Sequence, residues 1–226
     1  MSDYEPTERT RLRLYKDFGT YDREKIYAII DEAPICHVSA VVDGAPYIQA
    51  TRHWRVGPNV YMHGAVKNKM INAVRTGAEA CLSFSLFDGY ALTRSAFNHA
   101  VLYRSAVVFS RGRFVEDLDE KLGFLKDSIE SVQPGRWSAV RHPTIEELKM
   151  VGVVEFPLVE VSGKMLSLEV TPLILPGGAL EVAADQTVSP WTGVIPYKLT
   201  AGSPIPSGDI TGQTGQGQPS SAPGVV

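Results

Sequence analysis

Between residues 35 and 164 the hydrophobic period is mostly two, and β-rich runs are joined by turn signals instead of alternating regularly with helices. ICHVSAVV (35–42), the pair Asp43-Gly44 and PYIQATRHW (46–54) read as a hairpin, because Asp-Gly supplies the positive φ angles of a two-residue turn. A turn at Gly57-Pro58-Asn59 leads to the strand VYMH (60–63), and ACLSFSLF (80–87), LYRSAVVFSRGRFV (102–115) and VGVVEFPLVEVSGK (151–164) follow. Helices are inserted between them. Asp22 caps one that carries Ile26, Tyr27, Ile29 and Ile30 on a broad face and ends at Pro34. Gly64 opens a second, with Lys67, Asn68 and Lys69 in its first turn, which runs through Met70, Ile71 and Val74 to Gly77. After Asp117 the spacing of Leu118, Leu122, Leu125 and Ile129 is helical, and a shorter helix spans 144–150. Consecutive hairpin-linked strands without βαβ alternation predict a mainly β fold, an antiparallel barrel with peripheral helices.

The 226 residues suffice to bury a core without a disulfide or metal staple, so a cofactor, where present, serves chemistry. A net charge of −3 with no Lys/Arg block argues against nucleic-acid binding, and no apolar run is long enough to cross a bilayer. The start lacks an apolar segment after its charges, so a cytoplasmic location is expected. Cys36 and Cys81 lie in apolar runs and read as buried thiols; His37, His53, His63, His99 and His142 show no zinc-like spacing, and no metal site is expected. Residues 1–20 read as a polar arm, 21–200 as one domain, and 201–226 as a disordered or partner-held tail in which 14 of 26 residues are Gly, Pro or Ser. TPLILPGG (171–178) reads as an edge or inserted loop between two prolines.

Three segments carry chemistry. In YMHGAVKNKM (61–70) a strand ends in His-Gly and feeds a helix start, where free N–H groups and Lys67 and Lys69 suit a phosphate; the alternative is that both lysines are solvated surface charges. In LYRSAVVF, alternation puts Arg104 on one face with Leu102, Ala106 and Val108. A buried Arg needs an anion, either a structural carboxylate or a ligand phosphate. In IQATRHWRV (48–56), Gln49, Thr51, Arg52 and His53 interrupt an apolar strand and suit the edge of a planar heterocycle, while Trp54 suits core. His63 is a candidate general acid, an axial haem ligand or a hydrogen-bonded strand-end residue. No Ser-His-Asp order, GxSxG or P-loop is visible.

Together with VEVSGK (159–164) and WTGVIPY (191–197), these segments resemble the pyridoxamine-5′-phosphate-oxidase-like flavin-binding split-barrel superfamily, especially the branch of the Nim-type nitroimidazole-resistance proteins. The resemblance implies a six-stranded antiparallel split barrel, homodimeric, with FMN in clefts at the subunit interface. By position it implies that Lys69 and Asn68, with Lys67 nearby, hold the FMN phosphate. Gln49, Ala50, Thr51 and Arg52 then line the isoalloxazine, His63 and Gly64 sit at the next strand end, Arg104 and Ser105 reach the cofactor, and Trp191 closes the cleft. The family's usual Arg is Lys69 here, and its HHSMNYRS is NHAVLYRS, which removes polar groups at Asn98, Ala100 and Leu102. Pyridoxamine phosphate is not the expected substrate, because the basic C-terminal motif of the true oxidases is missing. The function expected is an FMN-dependent oxidoreductase acting on a small organic substrate, nitroaromatic or heterocyclic, with His63 transferring a proton. NADH or NADPH would be a transient co-substrate, since no GxGxxG loop follows a strand. The alternatives are a haem-binding or haem-degrading split barrel using His37, His53, His63 or His99 as ligand, and a flavin-binding dimer without turnover.

Overall fold

The computed structural model describes residues 3–14, 16–167 and 175–206. Its strands are β1 (Gly19–Thr20), β2 (Cys36–Val42), β3 (Ala45–Thr51), β4 (His53–Val56), β5 (Asn59–Ala65), β6 (Glu79–Leu92), β7 (Ala100–Arg111), β8 (Arg113–Phe114), β9 (Val151–Pro157), β10 (Glu160–Leu166) and β11 (Gly193–Pro196). A larger antiparallel sheet has the order β1-β10-β7-β6-β2-β3, with β11 added beside β6, and a smaller one has the order β4-β5-β9-β8. Three of the six runs expected as single strands are divided, at Arg52, at Gly112 and at Leu158–Val159, and at each division the chain leaves one sheet for the other. Six runs thereby serve two sheets, which is the mainly β, antiparallel split-barrel architecture expected. Period-two patterning does not register such bends, because each half of a bent strand still alternates. At Gly112 a Cβ would meet Phe156, Val154 and Val74 at 2.7 Å, so the chain turns there only without a side chain.

Local chemistry sets the other boundaries. The β2–β3 turn has φ of 53° at Asp43 and 78° at Gly44, as the Asp-Gly pair predicts. Helix α1 (Arg23–Glu32) starts where the Asp22 carboxylate accepts the Lys25 N–H at 3.0 Å, and it buries Ile26, Ile29 and Ile30. Helix α2 (Lys69–Arg75) is shorter than expected: the segment after Gly64 is not yet helical, Lys67 lies outside the helix, and Asn68 is its N-cap. Helix α3 (Leu118–Glu130) is capped by Asp117, and α4 (Ile145–Met150) by a reciprocal Thr144–Glu147 box.

Between the two sheets lies the main core, where Val38, Leu82, Phe84, Ala106, Val108, Val154 and Phe156 pack with α1 and with Met70 and Ile71 of α2. On its other face the smaller sheet presents Trp54, Tyr61 and Val153 to Leu125 of α3 and Leu148 of α4. The N-terminal arm packs on this body: Tyr4 joins the main core and Arg9 pairs with Glu79 and Glu160. Burial pushes the Cys36 thiol up to about 12, whereas Cys81 is only half-buried. Residues 201–206 of the tail are mostly exposed, and 207–226 lie outside the described residues, as do 171–174 of TPLILPGG. Its last four residues form a turn, in which the Gly178 N–H donates to the Leu175 carbonyl. Among the described residues no helix is long and apolar enough to cross a membrane.

Candidate functional site

Trp54 and Tyr61 are cross-strand partners on the face of the smaller sheet that meets α3, and His63 follows two residues on along the same face. The Trp54 ring stacks on Tyr61 at 5.8 Å between centroids and meets His63 edge-on at 5.7 Å. Arg52, at the bend between β3 and β4, turns toward the end of α3. Beyond the Trp54–Tyr61 wall, Arg52, His63, Ser128, Ile129, Val132, Gln133 and Arg136 line a cavity of about 320 Å³ open to solvent, within the size range of small-molecule sites.

Its electrostatics are positive. The Arg52 guanidinium donates to the hydroxyls of Ser128 at 2.6 Å and Ser131 at 2.8 Å, and burial pulls its pKa below the ordinary arginine value. The Ser131 hydroxyl in turn donates to the Ser128 carbonyl, which fixes the Ser131 hydroxyl as an acceptor for Arg52. Crowding by protein atoms, then the Arg52 charge, lowers the His63 pKa, so its imidazole is neutral at pH 7. Neither His63 ring nitrogen has a hydrogen-bond partner among the described residues. The remaining histidines differ. His53 is buried against Phe84, with Nε2 2.7 Å from the Ile30 carbonyl, and its own pKa is lowered by burial. His99 has Nδ1 2.8 Å from the Ser95 carbonyl, His142 stacks on Trp137, and His37 is exposed on β2.

The other residues expected at the site fall into separate places. Gln49 and Thr51 are half-buried on β3 and alternate with exposed Ile48 and Ala50; the Gln49 Oε1 is buried with no hydrogen-bond partner. Gly64 lies over Asn68 and Ile71. The Asn68 side chain accepts the N–H groups of Met70 at 2.9 Å and Ile71 at 3.1 Å, so two of the donors at the helix start expected to bind phosphate are already occupied. Lys69 faces Asp43 at 3.3 Å and the Tyr47 ring at 5.3 Å, and Lys67 is exposed.

Arg104 does stand among buried neighbours, and its anion is internal. It donates to Asp88 from Nε (2.9 Å) and Nη2 (2.8 Å), and to Glu32 from Nη1 (2.5 Å) and Nη2 (2.9 Å). Of the two anions the sequence left open for Arg104, the described structure supplies the structural carboxylates. Ser105 lies on the opposite face, in register with Ser85 and Lys164. Trp191 is 65% exposed and packs against Gly193, away from the cavity.

The structure thus brings Arg52 and His63 together and leaves Lys69, Arg104 and Trp191 in surroundings of their own. It adds Ser128, Ser131, Gln133 and Arg136 from the end of α3, which the sequence reading missed. Its only signal was a polar stretch, SIESVQPGR, directly after the apolar helical spacing.

The family model described as Pyridoxamine 5′-phosphate oxidase matches residues 22–165. Comparison with curated proteins gives no match. Among solved structures, the flavocytochrome Anf3 from Azotobacter vinelandii is 29% identical, with a TM-score of 0.81 over 90% of this chain and 91% of its own. The FAD and heme binding protein from Mycobacterium smegmatis is 26% identical, with a TM-score of 0.78 over 90% and 94%. A protein described as a 5-nitroimidazole antibiotic resistance protein from Bacteroides thetaiotaomicron is 20% identical, with a TM-score of 0.57 over 65% and 85%, and shares the fold.

Proposed function

Because the chain belongs to the pyridoxamine 5′-phosphate oxidase family, we propose that it is a flavin-dependent redox protein that also holds a haem, with His63 as the iron ligand. The carrying observation is the His63 cavity. A neutral imidazole with both nitrogens free faces an open space walled by Ile129 and Val132 and flanked by two arginines. His63 is solvent-exposed at the cavity mouth, yet the protein atoms around it and then Arg52 still disfavour the charged form that a proton donor at pH 7 needs, whereas the neutral ring is the form that ligates iron. The same comparison chooses among the histidines, since the buried His53 is held against the Ile30 carbonyl, His99 against the Ser95 carbonyl, and neither His37 nor His99 lines this cavity. Two structures that match nine-tenths of this chain are a flavocytochrome and a protein that binds FAD and haem, which supports the reading.

The flavin belongs along β3. That strand ends the larger sheet, so its outer backbone groups are free for a planar ring, and the orphaned Gln49 Oε1 lacks a donor that a ring N–H supplies. Lys67, and Lys69 once released from Asp43, are the cations for its phosphate; the helix start is not. Bound flavin supplies conversion between two-electron and one-electron transfer, with NADH or NADPH as a transient donor. A second copy covers the outer face of the larger sheet, where Val41, Ile48 and Phe87 stand exposed. An FMN-dependent oxidoreductase using the same cavity for a small organic substrate is the narrower form of this reading.

The test is an absorption spectrum of the purified protein, repeated after FMN, FAD and haemin. A Soret band that His63→Ala abolishes, beside a flavin spectrum that survives it, is the expected result. Flavin uptake without any Soret change would overturn the haem assignment and leave the narrower form; no flavin spectrum under any addition would overturn the flavin assignment.

A further inference from the structure

Arg52 differs from three other half-buried arginines. Arg55 faces Asp31, Arg94 faces Glu181 and Arg104 faces two carboxylates, but among the described residues Arg52 meets the hydroxyls of Ser128 and Ser131 and no carboxylate. A hydroxyl carries a partial charge against the full charge of a guanidinium, so a half-buried Arg held this way is short of an anion. Two of its five N–H donors are used by the serines, which leaves enough for bidentate contact with a planar carboxylate. Arg136 adds a second cation to the same cavity, Gln133 an amide, and Ile129 and Val132 an apolar wall. Among the described residues no acidic side chain lines it.

We infer that the Arg52 side of this cavity binds the carboxylate of a ligand whose body is apolar, with Ser128 and Ser131 as positioning residues that hold the guanidinium in place. This rests on the His63 cavity being the cofactor site: there the carboxylate is a porphyrin propionate, and in the narrower form of that reading it is a free aromatic acid. The three cavity walls divide the work, with His63 meeting the flat body at its centre, Ile129 and Val132 covering it, and Arg52 gripping its charged edge.

Haemin and haemin dimethyl ester separate these contributions, because the ester keeps ring and iron and removes both negative charges. Titrated into the full chain and followed at the Soret band, haemin binds roughly tenfold or more tightly than the ester, as hydrogen bonds to charged groups require. Arg52→Gln removes that difference by weakening haemin alone, Arg52→Lys restores part of it, and Ser128→Ala with Ser131→Ala narrows it. Equal binding of haemin and ester, unchanged in Arg52→Gln, overturns the inference while leaving the haem reading intact. When neither porphyrin binds, the haem reading fails, and benzoate against benzamide decides the inference through the His63 ring resonances. Shifts caused by benzoate alone and lost in Arg52→Gln uphold it; their absence overturns it.

Discussion

Arg104 and Arg52 both enter partly buried ground beside strands, and what surrounds them differs by two carboxylates. Arg104 lies where α1 ends and β6 bulges, and Glu32 and Asp88 take four of its contacts, chiefly through Asp88, raising its pKa further. Arg52 lies at a bend, and among the described residues no carboxylate pairs with it. One charge is used to join elements of the fold; the other is left to face a cavity. An arginine in an apolar strand therefore signals structure or ligand according to the acids that tertiary packing brings to it.

The largest expected break in this comparison is Arg104→Met. Leaving Glu32 and Asp88 together without a cation lowers stability by about 2–3 kcal/mol, below the range for fully buried pairs because all three side chains are partly exposed. Urea unfolding checks it, and adding Asp88→Asn recovers part of the loss. The two bends offer a second contrast, since Gly112 is crowded where Arg52 is open. Gly112→Val costs about 2 kcal/mol through overpacking against Val74, Val154 and Phe156, visible as a lower thermal midpoint. Asn68→Ala, which frees two N–H groups at the start of α2, costs about 1 kcal/mol and leaves haemin affinity unchanged.

The pH dependence sharpens the cavity side. His63 and His53 both titrate below the ordinary value of 6.5 in the folded chain, so near that pH the unfolded chain binds more protons. Their contribution is complete above the ordinary value and is lost as pH falls through it toward the folded values. In unfolding curves at pH 7.5 and pH 5, His63→Gln therefore loses less stability on acidification than the wild type, keeping the share due to His53. The smallest effect belongs to Arg52→Gln, expected within about 0.5 kcal/mol of wild type at pH 7 because no internal ion pair is broken. A loss as large as that of Arg104→Met would show that both arginines serve the fold.

Much of the fold was legible. The Asp43-Gly44 turn, the Asp22 cap, the Gly77 stop and the helix after Asp117 stand where period and turn chemistry put them, and so do the six strand runs apart from the bends that divide three of them. The start of α2 was misplaced because Gly64 resembles a helix opener, while Asn68, with a side chain that satisfies two N–H groups, is the better cap. The site was only half legible. His63 and Arg52 stood out as polar residues in apolar strands, but nothing in local pattern pairs them with a helix end more than sixty residues away.

By itself the sequence determined the elements, the alternating faces and the presence of charges that need partners, since these follow from short-range geometry and from the cost of burying a charge. The tertiary structure decided which charges found partners. Closing two sheets and α3 around one another brought Glu32 and Asp88 to Arg104 and only hydroxyls to Arg52. Electrostatic compensation depends on distances of a few ångströms between residues far apart in the chain, and only the fold sets those distances.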